Sequence, residues 1–200
     1  YYDDQLKRLW IGTGSAGLFY YDIIRKSLSD IPIRNFPKQP ILAIRKDAKN
    51  TLLIGIDGQG IWNISEKGDT ILHIYKEDLN NPFSLRGDGV YDILCDGSKN
   101  WIATFTGKLS FFENNNSQIT PVTYQINNPN SLGNNYVNQI IEDHEGHIWF
   151  ATNNGLSRWD AASNKWKHYY QNKSEQAKVF LSLCEDNQGH IWAGSYSSGI

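Results

Sequence analysis

The sequence predicts an all-β fold in which one four-stranded antiparallel unit is repeated along the chain. Three observations lead to this prediction: a motif recurs at regular spacing, each copy has the pattern of short strands, and no segment has a helical period longer than about two turns. The anchor of the motif lies at positions 10, 53, 101, 149 and 192, which are 43, 48, 48 and 43 residues apart. That spacing is typical of the blades of a β-propeller, which repeat about every 40–50 residues.

The fourth copy shows the order of the strands most clearly. Its apolar first strand leads into a turn headed by Asp143, where Gly146 can take a positive φ without steric cost. The second strand holds Trp149 and is apolar on both faces, as expected for a strand between neighbouring sheets. The strands of this copy are expected at 137–142, 147–152, 156–159 and 166–170.

The other copies repeat this order, so we expect about four blades in an open arc. The innermost strands are predicted near 41–46, 90–95, 137–142 and 179–184, and the repeat units cover about 1–36, 41–76, 90–125 and 137–170, with a truncated fifth unit at 179–200. Rings of four blades are uncommon, so the arc is expected to belong to a larger, seven-bladed ring. Between the last two units, residues 171–178 are expected to form no more than one short exposed turn.

The ends of the chain also carry an expectation. The sequence contains no methionine, so we expect it to be cut from a longer protein. In the repeat register, residues 1–4 align with 140–143, which places the start at the close of an innermost strand. The last residue, Ile200, aligns with the first residue of a third strand.

Composition excludes several classes of function. The chain has 19 Lys and Arg against 21 Asp and Glu, a net charge of −2, so it offers no basic surface to nucleic acid or to an anionic membrane. Aromatic residues make up 13% of the chain, which is too many for a disordered segment. No apolar run approaches the roughly 18 residues of a transmembrane helix, and no signal segment opens the chain.

The sequence predicts no catalytic residue, metal ligand or cofactor. It lacks the nucleophile elbow, the phosphate loop and the zinc-binding helix motif. The glycine-rich stretch at 12–17 leads into a strand rather than a helix, so it is not expected to bind phosphate. Cys95 and Cys184 form neither a CxxC pair nor a Cys/His cluster, and they are expected to pack as small apolar side chains.

Two sets of repeated residues have both a structural and a functional interpretation. The turn aspartates could act as metal ligands or acid–base groups, but they would lie far apart around a ring and are predicted to cap their own turns: Asp4, Asp47, Asp96, Asp143 and Asp186. The tryptophans could be platforms for sugars, but recurrence at one blade position favours the core between blades: Trp10, Trp101, Trp149 and Trp192.

Loop residues differ between the copies, and they supply the candidate binding site. In a propeller, the loops between second and third strands and the loops between blades open on the same side, which we call the loop face. Aromatic rings can stack on sugars while amides and carboxylates bind hydroxyls, so this mixture suits a polyhydroxylated ligand. The candidates are Asp57, Gln59, Asp88, Tyr91, Phe105, Asn134, Asn135, Tyr136, Asn138, Asn153, Asn154 and Tyr196. Any one of the asparagines could instead serve only its turn.

Two motifs carry a resemblance to a known family. In the fourth copy, Glu-Asp-x-x-Gly-x-Ile-Trp begins at Glu142 and follows Ser131-Leu132. The connector Asn-Pro-x-Ser-Leu occurs at 81–85 and again at 128–132. Together these motifs resemble the two-component regulator propeller repeat, and the connector is similar to the inter-blade loops in the sensors of Bacteroidetes hybrid two-component systems.

The resemblance implies a non-catalytic periplasmic sensor region of an inner-membrane protein. A membrane span, a histidine kinase, a receiver and a DNA-binding domain would lie elsewhere in such a protein, which can dimerise. The implied ligand is an oligosaccharide released from a complex glycan, and neither nucleic acid nor membrane would touch this part. Two alternatives stay open: a propeller enzyme, a lyase or hydrolase, that acts on sugars, and a structural propeller that binds only proteins. An acid–base pair or metal cluster on one face would favour the enzyme.

Overall fold

The computed structural model describes residues 1–170 and 179–200, and every helix or strand element in these ranges is a β-strand. The turn predicted at 171–178 lies outside the described residues. The first two sheets contain β1 (Tyr2–Asp3), β2 (Arg8–Gly12), β3 (Leu18–Asp22) and β4 (Ser27–Asp30), then β5 (Ile41–Lys46), β6 (Leu52–Ile56), β7 (Gly60–Ile64) and β8 (Ile71–Tyr75).

The following sheets repeat this arrangement. The third contains β9 (Val90–Cys95), β10 (Lys99–Thr104), β11 (Lys108–Glu113) and β12 (Thr120–Val122), and the fourth β13 (Val137–Glu142), β14 (His147–Thr152), β15 (Gly155–Asp160) and β16 (Lys165–Tyr169). A two-stranded sheet of β17 (Phe180–Glu185) and β18 (Ile191–Ser195) comes last. All pairs are antiparallel and follow chain order, so the all-β prediction of about four four-stranded blades is confirmed.

From the second sheet to the last, the first strands of neighbouring sheets contact one another and form the inner edge of an arc, and the first sheet contacts β5 through β2. Those of the second, third and fourth sheets coincide with the predicted innermost strands, and the last begins at Phe180, one residue later than predicted. Within the described residues, the series of sheets is not closed into a ring.

Apolar layers between adjacent sheets form the core, and the anchor of each repeat lies in the layer toward the next sheet. Trp10, Leu53 and Trp101 are almost fully buried, and Trp149 is 9% exposed. The predicted role of these tryptophans between blades is therefore confirmed. Trp192 is 51% exposed, since no further sheet of the described residues covers it.

Side chains on the innermost strands also join neighbouring blades. The carboxylate of Asp92 on β9 accepts a hydrogen bond from the backbone N–H of Ile140 on β13, at 3.0 Å, and pairs with Arg45 on β5, also at 3.0 Å. At the equivalent position of β13, the Gln139 side chain accepts a hydrogen bond from the N–H of Leu183. One side chain of the third blade thus links the second blade to the fourth.

The turn aspartates cap their turns as predicted in four copies. Asp143 Oδ1 accepts hydrogen bonds from the N–H groups of Glu145 and His147 at 3.0 and 2.8 Å, and Asp47, Asp96 and Asp186 do the same in their own turns. Gly146 has a φ of +80°, which fits the conformation that the sequence predicts there.

In the first copy the predicted register is wrong by one residue. The capping residue is Asp3, whose Oδ1 accepts hydrogen bonds from Gln5 and Leu6, whereas Asp4 is exposed and pairs with Lys7. Tyr1, not Tyr2, lies opposite Trp10, so Tyr1 corresponds to Ile141. The turn holds one extra residue, and this insertion displaces the alignment.

The two cysteines lie on equivalent innermost strands but differ in exposure. Cys95 packs against the core layer between the second and third sheets, and burial raises the pKa of its thiol to about 12. Cys184 is exposed, so the expectation of a packed side chain is wrong for this residue. Both are free thiols.

Candidate functional site

A β-bulge at the start of the innermost strand shapes the loop face in the second, third, fourth and last sheets. In the third sheet, Thr104 pairs with Val90 and Ala103 with Asp92, so Tyr91 between them has no partner in the ladder. The same shift leaves Asn138 unpaired in the fourth sheet, and Leu42 and Leu181 occupy this position in the second and last sheets. Bulges re-aim side chains, and here Tyr91 is 39% exposed.

Tyr91 stacks on Phe105, which lies in the turn between β10 and β11. The two ring centroids are 3.7 Å apart and the rings are 28° from parallel. The N–H of Phe105 donates to the carbonyl of Gly89 at 2.8 Å, which holds the turn against the start of β9. Phe105 is 41% exposed, so the pair presents aromatic surface at the loop face.

Tyr136 lies on the neighbouring connector, between the third and fourth blades. Its ring covers Gly107: a Cβ added there would lie 2.6 Å from the Cε1 atom of Tyr136, so only glycine fits beneath the ring. The amide oxygen of Asn134 accepts a hydrogen bond from the N–H of Tyr136, and that of Asn135 accepts one from the N–H of Tyr124. These two asparagines therefore hold the connector, and the ring itself stays 51% exposed.

Two asparagines of the fourth blade, Asn138 and Asn153, also form hydrogen bonds within the protein. The Asn138 amide donates hydrogen bonds to the Asn153 side chain at 2.9 Å and to the carbonyl of Phe180 at 2.8 Å. The side-chain oxygen of Asn154 is buried and has no hydrogen-bond partner among the described residues. The fourth blade thus offers fewer free polar groups than the sequence predicts, because Asn138 links it to the fifth.

The remaining candidates are spread along the arc. Asp57 and Gln59 lie in the turn between β6 and β7, where Gln59 accepts a hydrogen bond from Lys76. Asp88 caps the N–H of Glu77 on the second blade's connector at 2.7 Å. Tyr196 follows β18 and is 76% exposed. The structure brings Tyr91 and Phe105 into contact and places Tyr136 over Gly107 in the same turn as Phe105, whereas Asp57, Gln59 and Tyr196 belong to other blades.

A cavity of about 470 Å³ lies beside Tyr136 and was not found by sequence reasoning. Asn135 and Tyr136 line it together with Arg86, Thr106 and Lys108. The last three come from the preceding connector and from the turn and strand beneath Tyr136, so only the folded blade brings them together. The available signal in the sequence is that Arg86 follows the Ser-Leu of its connector where the fourth copy has Gly133, and that Lys108 is an extra residue after the glycine of its turn.

On the opposite side of the blades, the turns carry the carboxylates. Asp143, Glu145 and His147 offer ligand atoms within 4.8 Å of one another. Asp143 Oδ2 already accepts hydrogen bonds from the Trp149 indole at 2.7 Å and from the His147 ring at 3.0 Å. This arrangement completes a turn and fastens a core tryptophan, so we assign the cluster to the turn.

These turns predict acid sensitivity. Burial alone would raise the pKa of Asp143, but hydrogen bonds from Trp149 and His147 outweigh it and the pKa lies below its usual value; the same balance lowers the pKa of Asp96. A lowered pKa stabilises the fold above the unfolded-state value near 4 and loses this contribution as the pH falls through the folded-state value. Melting temperatures measured from pH 6 to pH 2 should therefore fall below about pH 4.

The variant Asp143→Asn tests whether the acid sensitivity comes from the turn aspartates. It keeps one acceptor for the turn but cannot ionise, so its melting temperature should fall less steeply below pH 4 than that of the unchanged protein. An unchanged slope in this variant would show that the acid sensitivity comes from other carboxylates.

The fold and the repeats place the chain among β-propellers, and comparison with known proteins shows which repeat family two of its segments resemble. Residues 131–154 and 174–197 match the family described as two component regulator propeller. These two segments are therefore similar to two-component regulator propeller repeats. None of the curated proteins compared with the chain matches it.

Solved structures share the fold at low identity. The chain matches over 100% of its length, with a TM-score of 0.68 and 17% identity, a structure described as the extracellular domain of a hybrid two component system, BT3049, from B. thetaiotaomicron, and it spans 32% of that chain. The β-propeller domain of Cps50 (Swd1) from Myceliophteria thermophila matches 98% of the chain with a TM-score of 0.65 and 13% identity, over 61% of its own length. The computationally designed Ika8 protein matches 94% with a TM-score of 0.64 and 9% identity, over 52% of its length.

Proposed function

We propose that the chain is part of a non-catalytic, extracytoplasmic sensor propeller of a hybrid two-component system, located in the periplasm, and that its loop face binds an oligosaccharide. Binding would bias a histidine kinase elsewhere in the protein. The family of the repeats supports the regulatory role, and the extracellular location of the BT3049 domain supports the compartment. No helix in the described part of the chain is long and apolar enough to span a membrane.

The observation that carries the ligand class is the exposed aromatic surface on the third blade and its connector. Tyr91, Phe105 and Tyr136 are between 39% and 51% exposed, whereas the repeated Trp10, Trp101 and Trp149 are buried in the core between blades. Exposed rings on ordered loops offer large, rigid contact area for the apolar faces of sugar rings. Backbone and side-chain polar groups around them can bind the hydroxyls.

The ring is proposed to contain seven blades, and the intact sensor is proposed to dimerise. Neither feature is needed for the loop face to bind a sugar, because the aromatic residues come from one blade and the connector that follows it.

Titration calorimetry of the intact protein against a panel of neutral and acidic oligosaccharides tests the proposal. At least one oligosaccharide should release or absorb heat and be recovered unchanged after incubation. Phe105→Ala should weaken this binding, whereas Phe83→Ala, which removes an aromatic ring that is 51% exposed on another connector, should not. Turnover of a sugar would favour a propeller enzyme, and the absence of binding to every sugar would favour a propeller that binds only proteins.

A further inference from the structure

We propose that the cavity beside Tyr136 binds the acidic group of a saccharide, either a uronic acid carboxylate or a sulfate ester. The inference rests on the proposed function, since it names the class of sugar that the loop face would select. It follows from the charges and hydrogen-bonding groups that line this cavity of about 470 Å³, a volume in the range of small-molecule sites.

Two cations line the cavity from different segments. Arg86 comes from the connector that precedes the third blade, and Lys108 is the first residue of β11. None of the described residues that line the cavity is acidic. Lys108 Nζ lies 3.9 Å from the carboxylate of Glu77, which is not part of the lining. A long pair of this kind at the surface contributes little, so Lys108 keeps most of its attraction for an anion.

Arg86 is held in place for such a ligand. Its Nη2 donates a hydrogen bond to the carbonyl of Pro82 at 2.6 Å, and its own carbonyl accepts one from the Thr106 hydroxyl at 2.7 Å. The connector is therefore fastened to the turn that forms the opposite wall. A guanidinium has five N–H donors, so one bond to Pro82 leaves others for a carboxylate or sulfate.

The rest of the lining suits a sugar ring. Tyr136 forms one wall above Gly107, where no side chain could fit. Thr106, Thr123 and Asn135 also line the cavity and are polar. An acidic sugar could place its charged group toward the cations and its ring against the tyrosine.

The equivalent cavity of the first blade supplies a comparison within the same chain. It has nearly the same volume, about 460 Å³, and is likewise formed by the turn before the third strand, the outer strand and the connector. Its charged lining residues are Lys38 and Asp30, one of each sign. The same scaffold therefore carries balanced charges in one blade and two cations in the other, and this difference is what selects an anion at the third blade.

Binding of matched sugars to the intact protein tests the inference. The probes are an oligogalacturonate and its methyl ester, and a sulfated disaccharide with its desulfated form, titrated at low and at high salt. We expect each acidic probe that binds to do so about tenfold or more tightly than its neutral counterpart, with a difference that shrinks as salt is added. The carboxylate and sulfate arms show which acidic group is preferred.

Two variants place the effect at this cavity. Lys108→Gln should weaken the acidic probe about tenfold and leave its neutral counterpart unchanged, without lowering the melting temperature, because Lys108 is half-exposed. Arg86→Gln should have a larger effect on binding. Lys38→Gln, in the first-blade cavity, is the matched control. It should change neither the affinity for the acidic probe nor that for its neutral counterpart.

The outcomes separate the inference from the proposed function. Binding of neutral sugars as tightly as acidic ones, or equal loss of both in Lys108→Gln, overturns the acidic-sugar inference and leaves the sugar sensor in place. Binding of no sugar, acidic or neutral, overturns both.

Discussion

Replacing Trp101 by alanine is expected to lower the free energy of unfolding by about 3–5 kcal/mol, the usual cost of deleting a large buried aromatic side chain. Trp101 is 2% exposed and lies between the third and fourth blades, where its ring contacts Phe111, Phe150 and Trp159. Its indole N–H also donates to Asp96 Oδ2 at 2.8 Å, so the substitution loosens the capped turn as well. In a repeat array, a loss at one interface weakens both blades that share it.

Chemical denaturation of the intact protein measures this effect. Phe105→Ala is the control, because it removes a half-exposed ring from the turn at the far end of the same strand and should change the unfolding free energy by less than about 1 kcal/mol. Equal losses in the two variants would contradict the assignment of Trp101 to the core and Phe105 to the loop face.

Replacing Asp92 by alanine should cost about 2–3 kcal/mol, because it leaves buried partners without a hydrogen bond. The Asp92 carboxylate is almost fully buried; it accepts from the N–H of Ile140 and pairs with Arg45, and so joins three blades. The N–H of Ile140 would then be buried and unpaired, and Arg45 would lose its ion-pair partner.

Asp92→Asn is the matched control, since its amide oxygen can still accept from Ile140. Burial raises the pKa of Asp92, although Arg45 and the amides of Ile140 and Ile93 oppose this. A carboxyl group with a raised pKa stabilises the fold below the usual aspartate pKa, and this contribution is lost as the pH rises through the folded-state pKa. Because asparagine does not ionise, the Asp92→Asn variant should not lose stability over this pH range. Melting curves at pH 4 and pH 7 measure both the cost of the alanine substitution and the pH dependence that the asparagine substitution removes. An alanine variant as stable as the asparagine variant would show that Asp92 does not join the blades.

The sequence predicts the fold well because the repeat encodes it locally. The alternation of turn, tryptophan and glycine fixes the strands of each copy, and recurrence at one position assigns Trp101 and Trp149 to the core. An insertion in one turn shifts the alignment of the repeat. For this reason the sequence predicts Asp4 as the cap of the first copy, whereas the structure has Asp3 there. A single extra residue in an exposed turn costs little energy and leaves no signal in the repeat.

The candidate site is less accessible to sequence reasoning because it depends on contacts between segments. From the sequence, Asn135 is equally consistent with binding a ligand and with stabilising its own loop. Only the structure shows that its amide oxygen accepts a hydrogen bond from the N–H of Tyr124. The bulge that exposes Tyr91 is a feature of strand pairing. Arg86 and Lys108 face one cavity because a connector folds back on its blade, and nothing in their separation along the chain indicates it.

The variant Tyr136→Ala tests most directly the claim that the loop face binds the ligand while the layers between blades hold the fold. Its melting temperature and its affinity for the best-bound oligosaccharide should be measured together on the intact protein. We expect the melting temperature to change little and the affinity to fall by about 1–3 kcal/mol, since the ring is half-exposed and would stack on the sugar. A loss of stability as large as that of Trp101→Ala, or an unchanged affinity, would contradict this account.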